Sequence, residues 1–337
     1  MQFPYYYTPV AGNYSPAERD AMFAKIQNAD TPGNLASYNG VLALAPRPNL
    51  LDNAYFVGGG TGYGVFPVNQ RGVTQYSGGS AKIFDRWAIG AGGGAVELLS
   101  AGAKISCGNN QNIYQRLTTR PADLLNKTLT LSFLDSNGNL YKGTGTAPSA
   151  LSGGNIISID VPNFGTAVFA YSTSTALYYV AFIGQTNSQP ITVVAAKLER
   201  GSIQTLAHQE SGGWILNSVP RYDEELRRCQ NRLWLESNVP SNAYVVTSGV
   251  ATSATSAIFS LFLPANLAKS SNPTAIFNNI GVYSNTSNAS RNVSALSIVS
   301  IVGNSVGLTA TISGATAGES LRLVVLQGGS IGVSTEV

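Results

Sequence analysis

Charged residues are scarce in this chain of 337 residues. Lys, Arg, Asp and Glu make up 11%, whereas a typical soluble domain has about 25%. The scarcity is uneven, because only five of the 37 charged residues (20 basic and 17 acidic) lie after Glu236. Hydrophobic residues make up an ordinary 44%. We therefore expect a folded protein with polar but uncharged surfaces, whose C-terminal part can be buried against other subunits.

Histidine and cysteine are almost absent, which excludes several kinds of active site. His208 is the only histidine and there are two cysteines, so the residues needed for a catalytic triad or a His/Cys zinc site are almost absent. Cys107 and Cys229 are expected to be free thiols, although a disulfide between them stays open. Carboxylates stand in no motif for glycoside hydrolysis. We expect no enzyme activity, no cofactor and no metal, and do not adopt Asp52 or Asp85 as calcium ligands.

Strongly basic segments and long apolar runs are also missing. The net charge is only +3 and no basic run occurs, so nucleic acid is not an expected partner. The longest apolar stretches, such as Ala176 to Ile183, are too short to cross a bilayer, so we expect no membrane insertion. The first residues lack the basic and apolar regions of a secretory signal. We expect synthesis in the cytosol, where the protein stays or from which it leaves by a route such as cell lysis or packaging into a particle.

Residues 1–45 form a lead-in segment with one predicted helix. Residues 15–18 (SPAE) match a capping box with proline at the first helical position. Met22, Phe23 and Ile26 give the helix that follows one narrow apolar face. Because so short a helix is marginal alone, the face needs a partner: the body of the chain, a second copy or another protein.

Between residues 46 and 201, short strand-like segments alternate with turn signals. In Lys127 to Phe133, hydroxyl side chains alternate with Leu and Phe, and Asn137-Gly138 favours a tight hairpin. Asp160 to Phe169 and Ile191 to Leu198 have the composition of further strands. This region is predicted to be a β-sandwich, specifically a jelly roll.

The rest of the chain predicts a connector and a second β domain. Residues 202–236 contain a predicted helix from Pro220 to Trp234 with one apolar stripe, formed by Tyr222, Leu226, Cys229 and Leu233. Residues 237–337 are strand-like again and predict a C-terminal β-sandwich. The fold class is therefore all-β: two sandwich domains with a short N-terminal helix and one connecting helix.

Aromatic residues are the clearest functional signal. The chain has 16 Tyr, 12 Phe and 3 Trp on a scaffold with little charge, which suits stacking on sugar rings. The glycan-binding candidates are Tyr63, Tyr76, Tyr114 and Trp87. Each also has an interpretation as a core or interface residue, and for Trp87, in a strand-like run, the core interpretation is favoured.

Several segments resemble a known family in their order and spacing. They are 48–56 (PNLLDNAYF), 67–72 (PVNQRG), 84–87 (FDRW), 195–202 (AAKLERGS), 204–209 (QTLAHQ), 214–216 (WIL) and 219–230 (VPRYDEELRRCQ). This pattern is similar to tail-fibre and receptor-binding-type virion proteins of tailed bacteriophages and prophages. The resemblance covers about residues 48–235.

The resemblance implies a virion fibre subunit that binds glycan on the host surface. It implies a carbohydrate-binding jelly roll at 46–201, a helix after Pro220 that links to a distal β domain, and a homotrimer. It carries no catalytic residues. Segment 1–45 would attach the protein to a tail, collar or capsid protein of a virion assembled in the host bacterial cytoplasm. The open alternative is a purely structural virion component (head fibre, collar or baseplate protein) that binds only other virion proteins.

Overall fold

The fold is all-β, as predicted from the alternation of apolar and polar residues. The computed structural model describes residues 47–210, 213–237, 244–263 and 273–335. Apart from Arg47, these residues belong to one compact unit, Pro48–Val337. The predicted N-terminal segment and its helix lie outside the described residues. Among the described helices, none is long and apolar enough to cross a membrane.

The first half of this unit is a sandwich of two antiparallel sheets. Sheet I has the order β1-β3-β4-β11-β6-β7 and sheet II the order β2-β5-β10-β9-β8. The strands are β1 (Gln75–Ser77), β2 (Ala88–Ile89), β3 (Ala95–Leu99), β4 (Gly102–Ser106), β5 (Asn112–Arg116), β6 (Thr128–Asp135), β7 (Leu140–Thr146), β8 (Gly154–Val161), β9 (Gly165–Ser172), β10 (Leu177–Gly184) and β11 (Ile191–Arg200). The chain passes repeatedly between the two sheets, which makes the sandwich jelly-roll-like.

Side-chain alternation places the core between the sheets. Along β6, Leu129, Leu131 and Phe133 point inward and are fully buried. Phe133 meets Phe182 of the facing sheet edge-on, with ring centroids 5.2 Å apart. Apolar side chains at alternate positions of both sheets thus close one continuous core, which holds the loops and strand edges in place.

The distal half is built on one curved antiparallel sheet, sheet III. Its order is β18-β17-β21-β15-β16-β20-β19, with β14 paired beside β15 on the same long strand, β21. The strands are β14 (Leu233–Ser237), β15 (Tyr244–Ser253), β16 (Ser256–Phe262), β17 (Thr274–Ser284), β18 (Ser290–Asn292), β19 (Ala295–Val302), β20 (Ser305–Thr311) and β21 (Ser320–Ser334). Because β17 packs against β19, the two ends of the sheet approach each other around a second core.

Along the chain, a hairpin and a helix follow β11 and precede β14. The hairpin is β12 (Ala207–Glu210) and β13 (Gly213–Leu216), and helix α1 is Tyr222–Gln230; a short 3₁₀ helix, Pro121–Leu124, lies within the sandwich. The predicted helix extended to Trp234 and was therefore too long. Leu233 begins β14 instead, because β21 offers a hydrogen-bonding edge that pairs Leu233 with Ser334.

Two turns in the sandwich test the sequence predictions directly. The Asn137-Gly138 hairpin is confirmed: it joins β6 to β7, and Gly138 has a φ of 80°, which suits glycine. The single strand predicted from Asp160 to Phe169 is wrong. A turn interrupts it between β8 and β9, where Asn163 adopts a left-handed φ of 63° that asparagine tolerates better than most residues.

Candidate functional site

Trp87 is a core residue. Its side chain is 1% exposed, and its indole N–H donates a 3.0 Å hydrogen bond to the backbone carbonyl of Asn53. The ring meets Phe56 edge-on at 5.5 Å and stacks on Phe182 at 6.2 Å between centroids. The structure therefore removes Trp87 from the glycan-binding candidates, because no face of the ring is open to a sugar.

Tyr63, in a glycine-rich loop, contacts the first turn of α1. Its side chain is 76% exposed, and its hydroxyl donates a 2.5 Å hydrogen bond to Asp223. This hydrogen bond to a carboxylate raises the pKa of Tyr63. The ring also meets Tyr222 edge-on, with centroids 5.0 Å apart. These contacts hold the glycine-rich loop around Tyr63 against the helix.

Tyr76 and Tyr114 lie on different sheets. Tyr76, on β1 of sheet I, is half-buried; its hydroxyl donates to Asn69 over 2.9 Å, and burial raises the pKa of Tyr76. Tyr114, on β5 of sheet II, lies under the Arg116 guanidinium, 5.3 Å from the ring centroid. The structure thus separates the predicted aromatic candidates instead of bringing them into one stacking platform.

A groove with a volume of about 470 Å³ runs along β1, β3 and β4. It is lined by Gln75, Tyr76, Ser77, Ala95, Val96, Glu97, Lys104 and Ser106. The hairpin β12–β13 packs over the other half of sheet I, against Leu134 on β6 and Ala195 on β11. The groove therefore occupies the part of this sheet face that the hairpin leaves uncovered.

Strand register aligns three polar side chains along the groove. Gln75 pairs with Glu97, and Glu97 pairs with Lys104, while the alternate residues Val96 and Ile105 point into the core. Gln75 Nε2 donates to one Glu97 oxygen over 3.1 Å, and Lys104 Nζ donates to the other over 3.3 Å. The carboxylate and ammonium stay more than a third exposed. This row offers donors and acceptors to a polyhydroxylated ligand.

The row Gln75, Glu97 and Lys104 was not among the predicted glycan-binding residues, which were all aromatic. A signal for two of its members was available, since β3 (AVELL) and β4 (GAKIS) each place one charged residue among alternating apolar residues. The two intervening residues, Ser100 and Ala101, permit a hairpin that brings the opposite charges side by side. Gln75 comes from a separate strand, and its sequence gives no comparable signal.

Three of the segments that resemble the phage family, 48–56, 84–87 and 219–230, meet in a largely buried joint, defined by Asp52, Asn53, Asp85, Arg86, Glu225 and Arg228. Asp52 is 5% exposed and lies between two guanidinium groups. Arg86 Nε is 3.1 Å from one of its oxygens, and Arg228 Nη2 is 2.7 Å from the other. Gln115 bonds both the backbone N–H and the carbonyl of Asp52. Such pairing compensates the desolvation of the buried carboxylate.

Glu225 fastens α1 to the joint. One oxygen accepts the backbone N–H of Asn53, and the other accepts Arg228 Nη1, each over 2.6 Å. Arg228 also donates to the carbonyls of Asn49 and Leu51. Burial opposes the charge of this guanidinium, but the neighbouring carboxylates outweigh burial and raise the pKa of Arg228.

Asp85 extends the joint to the distal half. It is fully buried and accepts the backbone N–H of Gln70 over 3.1 Å and the side-chain amide of Gln70 over 2.7 Å. The same amide donates to the carbonyl of Leu233, and its oxygen accepts the N–H of Leu235. Gln70 therefore links a buried carboxylate of the sandwich to β14 of sheet III.

A second buried network lies on the outer face of sheet I. Thr205 donates its backbone N–H and its hydroxyl to the two oxygens of Glu199, each over 2.6 Å. Lys197 Nζ donates to the Thr205 hydroxyl over 2.6 Å. All three are less than a tenth exposed. The AAKLE and QTLAHQ segments thus fold together to hold the chain that leads into the hairpin.

These networks give the family-like residues structural roles. The carboxylates of Asp52, Asp85, Glu199 and Glu225 are buried and bonded to arginine, lysine, glutamine, threonine or backbone donors, so none is placed to act on a bound polysaccharide. In the described part of the chain, no group of three or more His, Cys, Asp and Glu is arranged to hold a metal ion.

His208 is held by hydrogen bonds to neighbouring side chains, and the two cysteines are buried. His208 Nδ1 is 2.6 Å from Asn217 Oδ1 and Nε2 is 3.1 Å from Glu210. The hydrogen bond to Glu210 raises the pKa of His208. Cys107 and Cys229, both described, are free buried thiols. Burial raises the pKa of Cys107 to about 12 and that of Cys229 well above its usual value.

Met22, Phe23 and Ile26, predicted to attach the protein to a virion, lie outside the described residues. No family model, curated protein or solved structure matches the chain. The functional conclusion therefore rests on the groove, with the resemblance of the segments as background.

Proposed function

We propose that this chain is a fibre subunit of a tailed-phage virion that binds glycan on the host surface through the groove on sheet I. The observation that carries the proposal is the exposed row of Gln75, Glu97 and Lys104 on a jelly-roll-like sandwich. An amide, a carboxylate and an ammonium side by side can bond neighbouring sugar hydroxyls as both donors and acceptors.

The electrostatics of the groove favour a neutral polyhydroxylated ligand. Glu97 and Lys104 neutralise each other, so the groove has neither the positive potential that phosphate backbones require nor a surplus negative charge. A single open groove of this kind is expected to have a low affinity for its ligand. A homotrimer, which belongs to the proposal, would present three grooves and gain avidity on a repetitive surface.

Binding without cleavage is part of the proposal. Glycoside hydrolysis needs two carboxyl groups across the scissile bond, and Glu97 is the one acidic residue among those lining the groove. Its two oxygens are already bonded to Gln75 and Lys104. Attachment to a tail, collar or capsid protein is assigned to residues 1–45, as the resemblance implies.

The test is binding of the purified protein to host surface polysaccharide, measured by calorimetry or biolayer interferometry. We expect Glu97→Gln and Lys104→Met each to weaken binding by about tenfold or more, because each removes a charge-assisted hydrogen bond. Asp160→Asn, an exposed carboxylate on β8 of sheet II, is the matched control and should bind like the wild type. No reducing sugar should be released in any sample.

The purely structural alternative has a distinct outcome. If the wild type binds no host polysaccharide and does not block phage adsorption, yet binds a virion protein through residues 1–45, the chain is a head-fibre, collar or baseplate component. Release of reducing sugar would instead show a depolymerase. Unchanged affinity in both groove variants would place the glycan elsewhere on the protein.

A further inference from the structure

The distal sheet carries an exposed apolar face, defined by Ile258, Phe262, Val299 and Val302. Phe262 is 72% exposed, Val302 74%, Val299 64% and Ile258 44%. They lie on β16 and β19, whose alternate residues fill the second core. Four large apolar side chains thus lie among serine residues on the solvent side of these strands, which is uncommon for a sheet with one solvated face.

Strand register brings the apolar side chains of β16 and β19 to the same side of β20. Phe262 and Val302 both pair with Ser305 on β20, so the two most exposed side chains flank one small residue. The side chains of Ser300 and Val299 both lie over Gly307, where an added Cβ atom would come within 2.5 Å of Ser300 Oγ and 3.1 Å of Val299 Cγ2. Small residues between the apolar ones allow another backbone to approach closely.

Charge is missing from the three strands that form the apolar face. No residue of β16, β19 or β20 is charged. Among the described residues from 244 onward the charged ones are Arg291, Glu319 and Arg322. Arg291 pairs with Glu319 over 2.9 Å, and the Arg322 guanidinium lies 5.9 Å from the centre of the Tyr283 ring. A contact over the apolar face therefore desolvates no charged residue of the three described strands that form it.

We infer that the apolar face is the contact between copies of this chain. Around a threefold axis the equivalent side chains of three copies meet, so a face of one charge sign would repel itself there, whereas an uncharged apolar face can pack against its own copies. A charged partner would lose hydration without gaining an ion pair. The inference rests on the homotrimer of the proposed function and names its surface; it does not depend on glycan binding.

The size of the apolar face fits such a contact. Its exposed apolar area is on the order of 500 Å² per copy, so burying it between two copies removes about 1,000 Å², the lower bound of a specific interface. Further contact from β15 is available next to Ile258, since Val250 pairs with Ile258 and is itself 36% exposed.

Light scattering with sedimentation equilibrium at micromolar concentration tests the inference. We expect three times the chain mass for the wild type, and the monomer mass for Phe262→Lys and for Val302→Glu, because each places an unpaired charge in the contact. Leu151→Glu, a 44% exposed apolar residue on the sandwich, is the matched control and should keep the wild-type mass. Circular dichroism and melting should show that all variants fold.

Cross-linking tests the same contact without placing a charge in it, so its result does not depend on whether the charged variants fold. Val302→Cys, on a chain whose own cysteines are buried, should give covalent dimers or trimers with a short bis-maleimide, whereas Leu151→Cys should give none. A trimeric wild type with trimeric Phe262→Lys and uncross-linked Val302→Cys would overturn the surface while leaving the trimer. A monomeric wild type would overturn both, and glycan binding would still be decided by the groove variants.

Discussion

The sandwich and the distal sheet differ in where they put charge. The sandwich buries charged side chains in two networks, the joint around Asp52 and Arg228 and the cluster of Lys197 and Glu199. The described part of sheet III has one nearly buried ion pair, Arg291–Glu319, whereas its strands β16 and β19 expose four apolar side chains on their solvent side. The sandwich therefore has the more extensive networks of charged groups removed from water, whereas sheet III has few charged groups and exposes apolar side chains to water.

This difference indicates how each region is specified. A buried ion has few acceptable neighbours, so the joint fixes one position for α1 against the sandwich. Sheet III is specified mainly by the alternation of apolar and other residues along its strands. This alternation does not distinguish a sheet face that is exposed to water from one that packs against another molecule. Variants that alter one region and spare the other can break or sharpen this comparison.

The largest effect is expected in the joint. Arg228→Met should lower the free energy of unfolding by about 3 kcal/mol, because it leaves Asp52 with Arg86 as its one remaining guanidinium neighbour and leaves Glu225 with no guanidinium partner. Urea unfolding at fixed protein concentration measures this. Arg227→Met, exposed on the same helix, should change little. The pair Glu225→Leu with Arg228→Met should cost less than the sum of the two single changes, since both charges are removed together.

A comparable loss in sheet III should come from packing alone. Leu323→Ala removes a fully buried side chain from the second core and should cost about 2–5 kcal/mol. Ser313→Ala, exposed in the same region, should be nearly neutral. The free energy is measured by urea unfolding. A loss below about 1 kcal/mol would mean that sheet III relaxes around the cavity, so that its core is less tightly packed than that of the sandwich.

A smaller effect is expected beside the hairpin. Thr205→Val keeps the shape of the side chain but removes the hydroxyl that bonds Glu199 and Lys197, so unfolding should become easier by about 1–3 kcal/mol. Thr118→Val, on the exposed surface of the sandwich, is the control. An effect of Thr205→Val no larger than that of the control would show that the buried pair does not need this hydroxyl.

The smallest effect concerns pH. The pKa of His208 is raised in the folded protein, chiefly by Glu210, so its contribution to stability is present below the unfolded pKa and is lost as pH rises through the folded pKa. As the only histidine, it gives one imidazole signal in NMR titration. Glu210→Gln should lower that pKa, and Asp160→Asn should not. A wild-type value at or below about 6.5 would contradict the assignment.

Local patterns predicted much of the fold and little of the site. The alternation in β6 and β11 and the Asn137-Gly138 turn appear as expected, because hydrophobic period and turn chemistry act over a few residues. The helix end was misplaced because β21 competes for Leu233. The groove was missed because its third member, Gln75, reaches Glu97 only through pairing between separate strands.

The sequence by itself determined the all-β class, the low number of charged residues in the last hundred positions, and the scarcity of histidine and cysteine for catalysis or metal binding. Only the tertiary structure decided what the charged residues do. Asp52, Arg86 and Arg228 come from three distant segments, and their partners follow from how the sandwich closes around α1. Composition acts through totals, whereas the role of a charge depends on neighbours that are brought together only by folding.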